Sequence, residues 1–141
     1  MKQNAVQLRV IQSLSEISEV DWNALLAPDA GPFLKYAFLN TLEKTGCVGG
    51  KTGWQVAHLI LKDSQKLLGA MPLYLKQHSY GEFVFDWSWA QAYEQQGLQY
   101  FPKALCAIPF TPVQGARILC APQENSDAIA RKIIEQRKAS L

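Results

Sequence analysis

WQVAHLILKDSQKLLGAMPLYLK, residues 54–76, decides how this chain folds. Two segments, WQVAHLILK (54–62) and KLLGAMPLYLK (66–76), are apolar on both alternating faces, the pattern of strands covered on both sides. Only the polar DSQ separates them, so they are expected to pair as an antiparallel hairpin. A hairpin at the centre of the chain breaks any regular strand–helix–strand alternation. It therefore points away from an all-parallel sheet and towards a mixed one.

Outward from the hairpin the other elements follow. AVQLRVI (5–11) alternates and reads as a strand. SEVDWNALLAP (18–28) reads as a short helix with Ser18 as N-cap and Pro28 as stop. FLKYAFLNTLEKTG (33–46) has the 3.6-residue period and ends on Gly46, and the glycine-rich CVGGKTG (47–53) is a loop. EFVF (82–85) reads as a further short strand or extended segment. SWAQAYEQQG (88–97) reads as a helix with capping-box spacing between Ser88 and Gln91. KALCAIP (103–109) and ARILCAP (116–122) are two more strands. SDAIARKIIEQRKASL (126–141) is an amphipathic helix capped by Ser126, with Ile129, Ile133 and Ile134 facing inward. The expected architecture is α+β, a twisted and mostly antiparallel sheet with helices on both faces, formed as one domain by residues 1–141.

Composition narrows the function classes. With 48% hydrophobic and 18% charged residues the chain is that of a folded, soluble domain. A net charge of +2 is too small to argue for DNA or an anionic membrane, and no apolar run is long enough to span a bilayer. Cys47, Cys106 and Cys120 are an odd, widely spaced set. They fit reduced thiols in a cytoplasm, with Cys106 and Cys120 in the core. There is no GxGxxG, P-loop, HExxH or GxSxG. His58 and His78 lack metal-ligand spacing, so no metal site is expected, and His58 reads as a hydrogen-bonded sheet residue.

HSYGEFVFDWSWAQAY, residues 78–93, is where chemistry concentrates. His78, Tyr80, Glu82 and Asp86 stand at even spacing. In an extended segment that puts four polar or titratable tips on one face, with Phe83 and Phe85 on the opposite, buried face. Such a polar wall can raise a carboxylate's pKa by desolvation or orient a histidine. The plainer reading makes Glu82 and Asp86 surface charges, with Trp87, Trp89 and Tyr93 packing a helix onto the sheet. Downstream, Pro102, Pro109 and Pro112 stiffen the ends of the next strand, and PFTP presents Thr111 at the tip of a rigid turn.

Taken together, GWQVAHLIL, GAMPLYLKQHSYGEFVFDWSWAQAY and YFPKALCAIPFTPVQGARIL resemble the bacterial FemAB-like proteins, described by peptidoglycan biosynthesis/recognition and as GNAT-type acyltransferases. The resemblance runs from about Pro32 to Leu119. It implies a GNAT-like fold and attack of an amine on an activated acyl ester or thioester, with acyl-CoA or aminoacyl-tRNA as donor substrate and no covalently bound cofactor. Fem-type transferases resemble two such domains in tandem. The chain is then the amino-terminal half, its last helix (126–141) leading towards a missing carboxyl-terminal half. Partners implied are a small-molecule or peptidyl amine acceptor, that second half, and a homodimer if apolar surface is left uncovered near the carboxyl-terminal strands and helix. For such a transferase Glu82, Asp86 and then His78 are the candidate bases. Tyr80, Trp87, Tyr93, Tyr100, Lys103 and Thr111 are candidate substrate-binding residues, with Lys103 placed to hold an anionic group. The alternatives are a binding module without turnover and an inert fragment.

Overall fold

The computed structural model describes residues 5–83 and 85–139. Among these residues seven strands and four α-helices follow one another: β1 (Val6–Ile11), α1 (Glu19–Asn23), α2 (Tyr36–Lys44), β2 (Trp54–Val56), β3 (His58–Asp63), β4 (Lys66–Met71), β5 (Tyr74–Lys76), α3 (Trp87–Gln95), β6 (Lys103–Leu105), β7 (Leu119–Cys120) and α4 (Ser126–Ala139). The fold is mixed α+β, and every strand pairing is antiparallel.

The central hairpin forms as its sequence demands, with one difference. Each expected strand is broken in the middle, and the two halves enter different sheets. β3 and β4 lie in a four-stranded sheet of order β1-β3-β4-β7; β2 and β5 lie in a three-stranded sheet of order β2-β5-β6. Pro72 is the physical reason, since it has no N–H to offer a ladder. At the break Ala57 N–H donates to the Leu73 carbonyl at 2.9 Å, and Leu73 N–H donates to Nδ1 of His58 at 3.0 Å. His58 is a fully buried sheet residue whose side chain replaces a ladder carbonyl where the ribbon changes sheets.

The four-stranded sheet is covered on both faces. On one side Ile60, Ala70 and Leu119 pack with Trp22, Leu25 and Leu39 from the α1–α2 region. On the other, Leu59, Leu61 and Leu68 pack against Ile129 and Ile133 of α4. The alternation along β3 thus feeds both cores, as two-period geometry requires. Gly69 lets α4 approach: a Cβ there would lie 2.5 Å from Ile129 Cγ2. Cys106 and Cys120 are half-buried beside this second core and Cys47 is exposed; all three are free thiols.

Several local expectations are corrected. α4 is capped by Asn125, whose side chain accepts from Ala128 N–H, rather than by Ser126. Ile134 turns outward at 45% exposure. α3 begins at Trp87 and buries none of its residues, so Trp89 and Tyr93 do not pin it to the sheet. No strand forms over residues 82–85, of which Val84 lies outside the described residues. Phe83 and Phe85 are 59% and 67% exposed, the reverse of the even-spacing expectation. The chain turns at Tyr80–Gly81, so the two-residue period of a strand has no register here to act on.

Candidate functional site

The three-stranded sheet builds the site through its register. Trp54 pairs with Lys76, and Lys76 pairs with Lys103, so an indole and two lysines form one row across β2, β5 and β6. Two like charges side by side on neighbouring strands repel. The carboxylates that relieve the repulsion come from the loop after β5. Lys103 Nζ bonds Glu82 Oε1 at 2.7 Å, Ser79 Oγ at 3.0 Å and Asp86 Oδ2. Lys76 Nζ stands 3.4 Å from Glu82 Oε2, donates to the Tyr80 carbonyl at 2.5 Å and sits 3.7 Å above the Trp54 ring. This pull on Glu82 is what draws it inward while its neighbour Phe83 is left outside.

Asp86 is the most heavily bonded group. Ser79 donates to Oδ1 at 2.6 Å, and the Tyr100 hydroxyl and Lys103 both donate to Oδ2. Burial works to raise its pKa, but these three bonds and the Lys103 charge outweigh it and hold the carboxyl at about 2. The desolvation-raised carboxylate anticipated for this wall is therefore not what Asp86 is; it is a fixed anion. Tyr100 is pushed up to about 12, first by its bond to that anion and then by burial. Lys76 is wholly buried and its pKa is lowered, burial outweighing the attraction of Glu82.

These groups open on a cleft of about 470 Å³. Glu82, Asp86, Tyr100 and Lys103 line it together with Trp54, Thr111 and Arg117. Gly81 shapes the base. It has φ +83°, and a Cβ there would fall 2.6 Å from the Phe110 ring and 3.0 Å from Trp54. Thr111 Oγ1 donates to the Pro109 carbonyl at 2.9 Å, which closes the PFTP turn on itself. A larger groove, about 730 Å³, runs between residues 25–34 and 113–122 and shares Ile108, Val113 and Arg117 with the cleft. Its charged residues are Asp29 and Arg117, and it lacks the ionisable cluster, so the smaller cleft is the candidate site.

Of the residues singled out from sequence, Glu82, Asp86, Tyr100, Lys103 and Thr111 come together here. Tyr93 borders the site indirectly, its ring 5.1 Å from Tyr100. Tyr80 and Trp87 lie outside it, 70% and 51% exposed, with rings 6.2 Å apart. His78 faces a different depression beside Gly49, Gly50 and Gly53; its Nε2 meets the Thr52 carbonyl at 3.0 Å and its Nδ1 accepts from Tyr80 N–H at 3.1 Å. Sequence reasoning missed Lys76, Ser79, Trp54 and Arg117. The signal for Lys76 was a lysine closing an otherwise apolar strand, LYLK. Arg117 was present in the quoted PFTPVQGAR but was given no role.

Among the described residues no group of His, Cys, Asp and Glu could hold a metal ion, and no helix is long and apolar enough to cross a membrane. No curated protein and no solved structure matches the chain. One family does match: the FemAB-like sequence model, described by peptidoglycan biosynthesis/recognition, aligns with residues 13–141. That span covers nearly the whole chain, including the three-stranded sheet, the cleft and every strand of the larger sheet but β1, and the chain belongs to the FemAB-like family.

Proposed function

We propose that this domain binds the amine acceptor in an acyl or aminoacyl transfer of peptidoglycan assembly, and that the cleft over β5 and β6 is the acceptor site. The observation that carries the reading is Glu82 Oε2. It is a buried oxygen without a hydrogen bond, on a residue that lines the cleft, and one of the two ammonium partners of Glu82, Lys76, stands 3.4 Å from it. Lys103 has already committed its three donors, so the spare hydrogen-bonding capacity of this wall lies in acceptors. A ligand rich in N–H donors, such as a primary amine on a peptide, matches that surplus.

In this reading the amine enters as an ammonium and loses a proton to Glu82. Its nitrogen lone pair then attacks the acyl carbon. The new C–N bond forms as the C–O or C–S bond of the aminoacyl-tRNA or acyl-CoA donor breaks, and the leaving group takes the electron pair and a proton. Asp86, held anionic, anchors the incoming charge. Lys103 keeps the two carboxylates apart and in place. Arg117 lines the same cleft, with its guanidinium donating to the Val113, Gly115 and Ala116 carbonyls. His78, with both nitrogens engaged elsewhere, has no part. The donor is presented by a second GNAT-like domain, and the reaction is cytoplasmic.

A binding module without turnover is the second reading, and the closed ion-pair network favours it, since no cation of the cluster is spare. One experiment separates the two. The purified chain is mixed with an amine-bearing muropeptide and, in turn, acyl-CoA and aminoacyl-tRNA, and the muropeptide mass is followed. Transfer that Glu82→Gln abolishes supports the first reading. Binding that depends on Glu82, without any mass gain, supports the second. Absence of binding removes the acceptor site.

A further inference from the structure

The backbone from Gln114 to Ile118 leaves its donors open. Val113 N–H donates to the Thr111 carbonyl at 2.9 Å, but none of the N–H groups of residues 114–118 has an acceptor among the described residues. The carbonyls of the same stretch are taken. Arg117 folds back on them, Nη2 donating to Val113 at 2.6 Å and Nη1 to Ala116 at 3.2 Å and Gly115 at 3.3 Å. The segment therefore shows donors and hides acceptors. The guanidinium adds to this. Three of its N–H groups are spent on carbonyls and two remain, and no carboxylate among the described residues forms an ion pair with it. A cation without a counter-ion beside a run of open N–H groups is the chemistry that captures a carboxylate.

The larger groove beside this segment says what carries the carboxylate. β7 pairs with β4 alone, so its other edge is free among the described residues. Ala121 N–H donates to the Leu68 carbonyl at 2.9 Å, next to β7. By antiparallel alternation Leu119 also faces β4, which turns the N–H and C=O of Ile118 and Cys120 to the free edge. The facing wall, residues 25–34, makes no backbone hydrogen bond across the groove. Apolar side chains surround these open groups, Leu26 and Phe33 from one wall and Val113 and Ile118 from the other. A free strand edge between apolar walls fits an extended peptide, which pairs its backbone with the edge and lays alternate side chains on the walls. An alkyl carboxylate meets the charge but leaves the edge N–H groups bare, and an inorganic anion leaves the walls bare as well. A strand added antiparallel to β7 finishes beside Arg117, which precedes β7, so the peptide's carboxyl terminus is the end that meets the guanidinium. Asp29, the other charged residue of the groove, is exposed, and solvent screens its repulsion of that carboxylate.

We propose that this groove binds the carboxyl terminus of an extended, apolar peptide, added antiparallel to the free edge of β7 with its carboxylate on Arg117 and the open amides before it. The site adjoins the cleft at Ile108, Val113 and Arg117 but uses neither Glu82 nor Asp86. The peptide N-acetyl-Ala-Val-Ala-Val tests it. This probe carries a carboxylate and no amine, so its binding and that of an amine in the cleft succeed or fail separately. Titration calorimetry should show one peptide bound per chain. Its carboxamide should bind roughly tenfold more weakly or worse, the worth of one charge-assisted pair, and Arg117→Gln should cost the same factor. Hydrogen exchange on the wild-type chain needs no substitution: the peptide should slow the amides of residues 114–118 and of Cys120. Equal binding of the carboxamide overturns the proposal, and so does peptide binding that leaves those amides unprotected. Decanoate or inorganic phosphate binding as tightly as the peptide overturns it too, since the site then reads a charge alone or a tail. Absence of binding at millimolar peptide removes the site.

Discussion

Acidification should destabilise this fold through His58, and the size of the effect follows from its surroundings. The ring is fully buried, 6.0 Å from Trp22 and 5.1 Å from Tyr74. Nδ1 accepts the Leu73 N–H, so the neutral ring carries its proton on Nε2, which has no hydrogen-bond partner among the described residues. A second proton must go to Nδ1 and break the bond that joins the two sheets. Burial lowers the pKa from 6.5 to about 4. The unfolded chain therefore takes up this proton as pH falls through 6.5, and the folded chain only near 4. Stability is complete above 6.5 and declines between those values. Going from neutral pH to about 4.5 should cost about 2.5 kcal/mol, a large part of the 5–15 kcal/mol typical of a domain. Asp86 acts in a separate window. Its depressed pKa gives stability that is present above 3.8 and lost as pH falls towards about 2. Urea unfolding at constant ionic strength measures the change, with His58→Gln as the comparison, since the amide can still accept from Leu73. The variant should lose the slope between 6.5 and 4. A wild-type change below about 1 kcal/mol, or an unchanged slope in the variant, refutes this account of His58.

Gly69→Ala should destabilise by about 1–3 kcal/mol, because the new methyl meets Ile129 Cγ2 and the Leu119 carbonyl; thermal unfolding reads it directly. Lys76→Met should cost about 1–3 kcal/mol by removing one of the two ammonium partners of buried Glu82 and leaving its Oε2 unsatisfied, and adding Glu82→Gln should recover part of that in a double-mutant cycle. Trp89→Ala should change stability by less than about 0.5 kcal/mol under conditions where the chain is monomeric, against the 3–5 kcal/mol of a core indole.

The parts of the fold legible in the sequence were those set by local pattern. The 54–76 hairpin, Ser18 accepting from Asp21 N–H, and α4 with Ile129 and Ile133 inward all follow from periodicity and capping chemistry. The splitting of that hairpin was written in Pro72, but its consequence depends on His58 reaching Leu73, a contact no spacing rule foresees. The candidate site was half legible. Glu82, Asp86, Tyr100, Lys103 and Thr111 were named from residue type and concentration, and they do meet. The reason offered for the first two, one face of a strand, fails because residues 82–85 form no strand. Glu82 turns in because Lys76 and Lys103 stand side by side on β5 and β6, and that register is a tertiary fact. The same absence of a strand leaves Phe83 and Phe85 in solvent.

The most direct test of the central claim is an amide-resonance map of the chain titrated with an amine-bearing muropeptide, beside the same peptide with its amine acetylated. The account predicts that the free amine shifts residues around Glu82, Asp86, Tyr100 and Lys103, that acetylation removes those shifts, and that Glu82→Gln weakens binding at least tenfold. Shifts confined to the 25–34 and 113–122 groove or to the Gly49–Gly53 loop, or equal binding of the acetylated peptide, would contradict it.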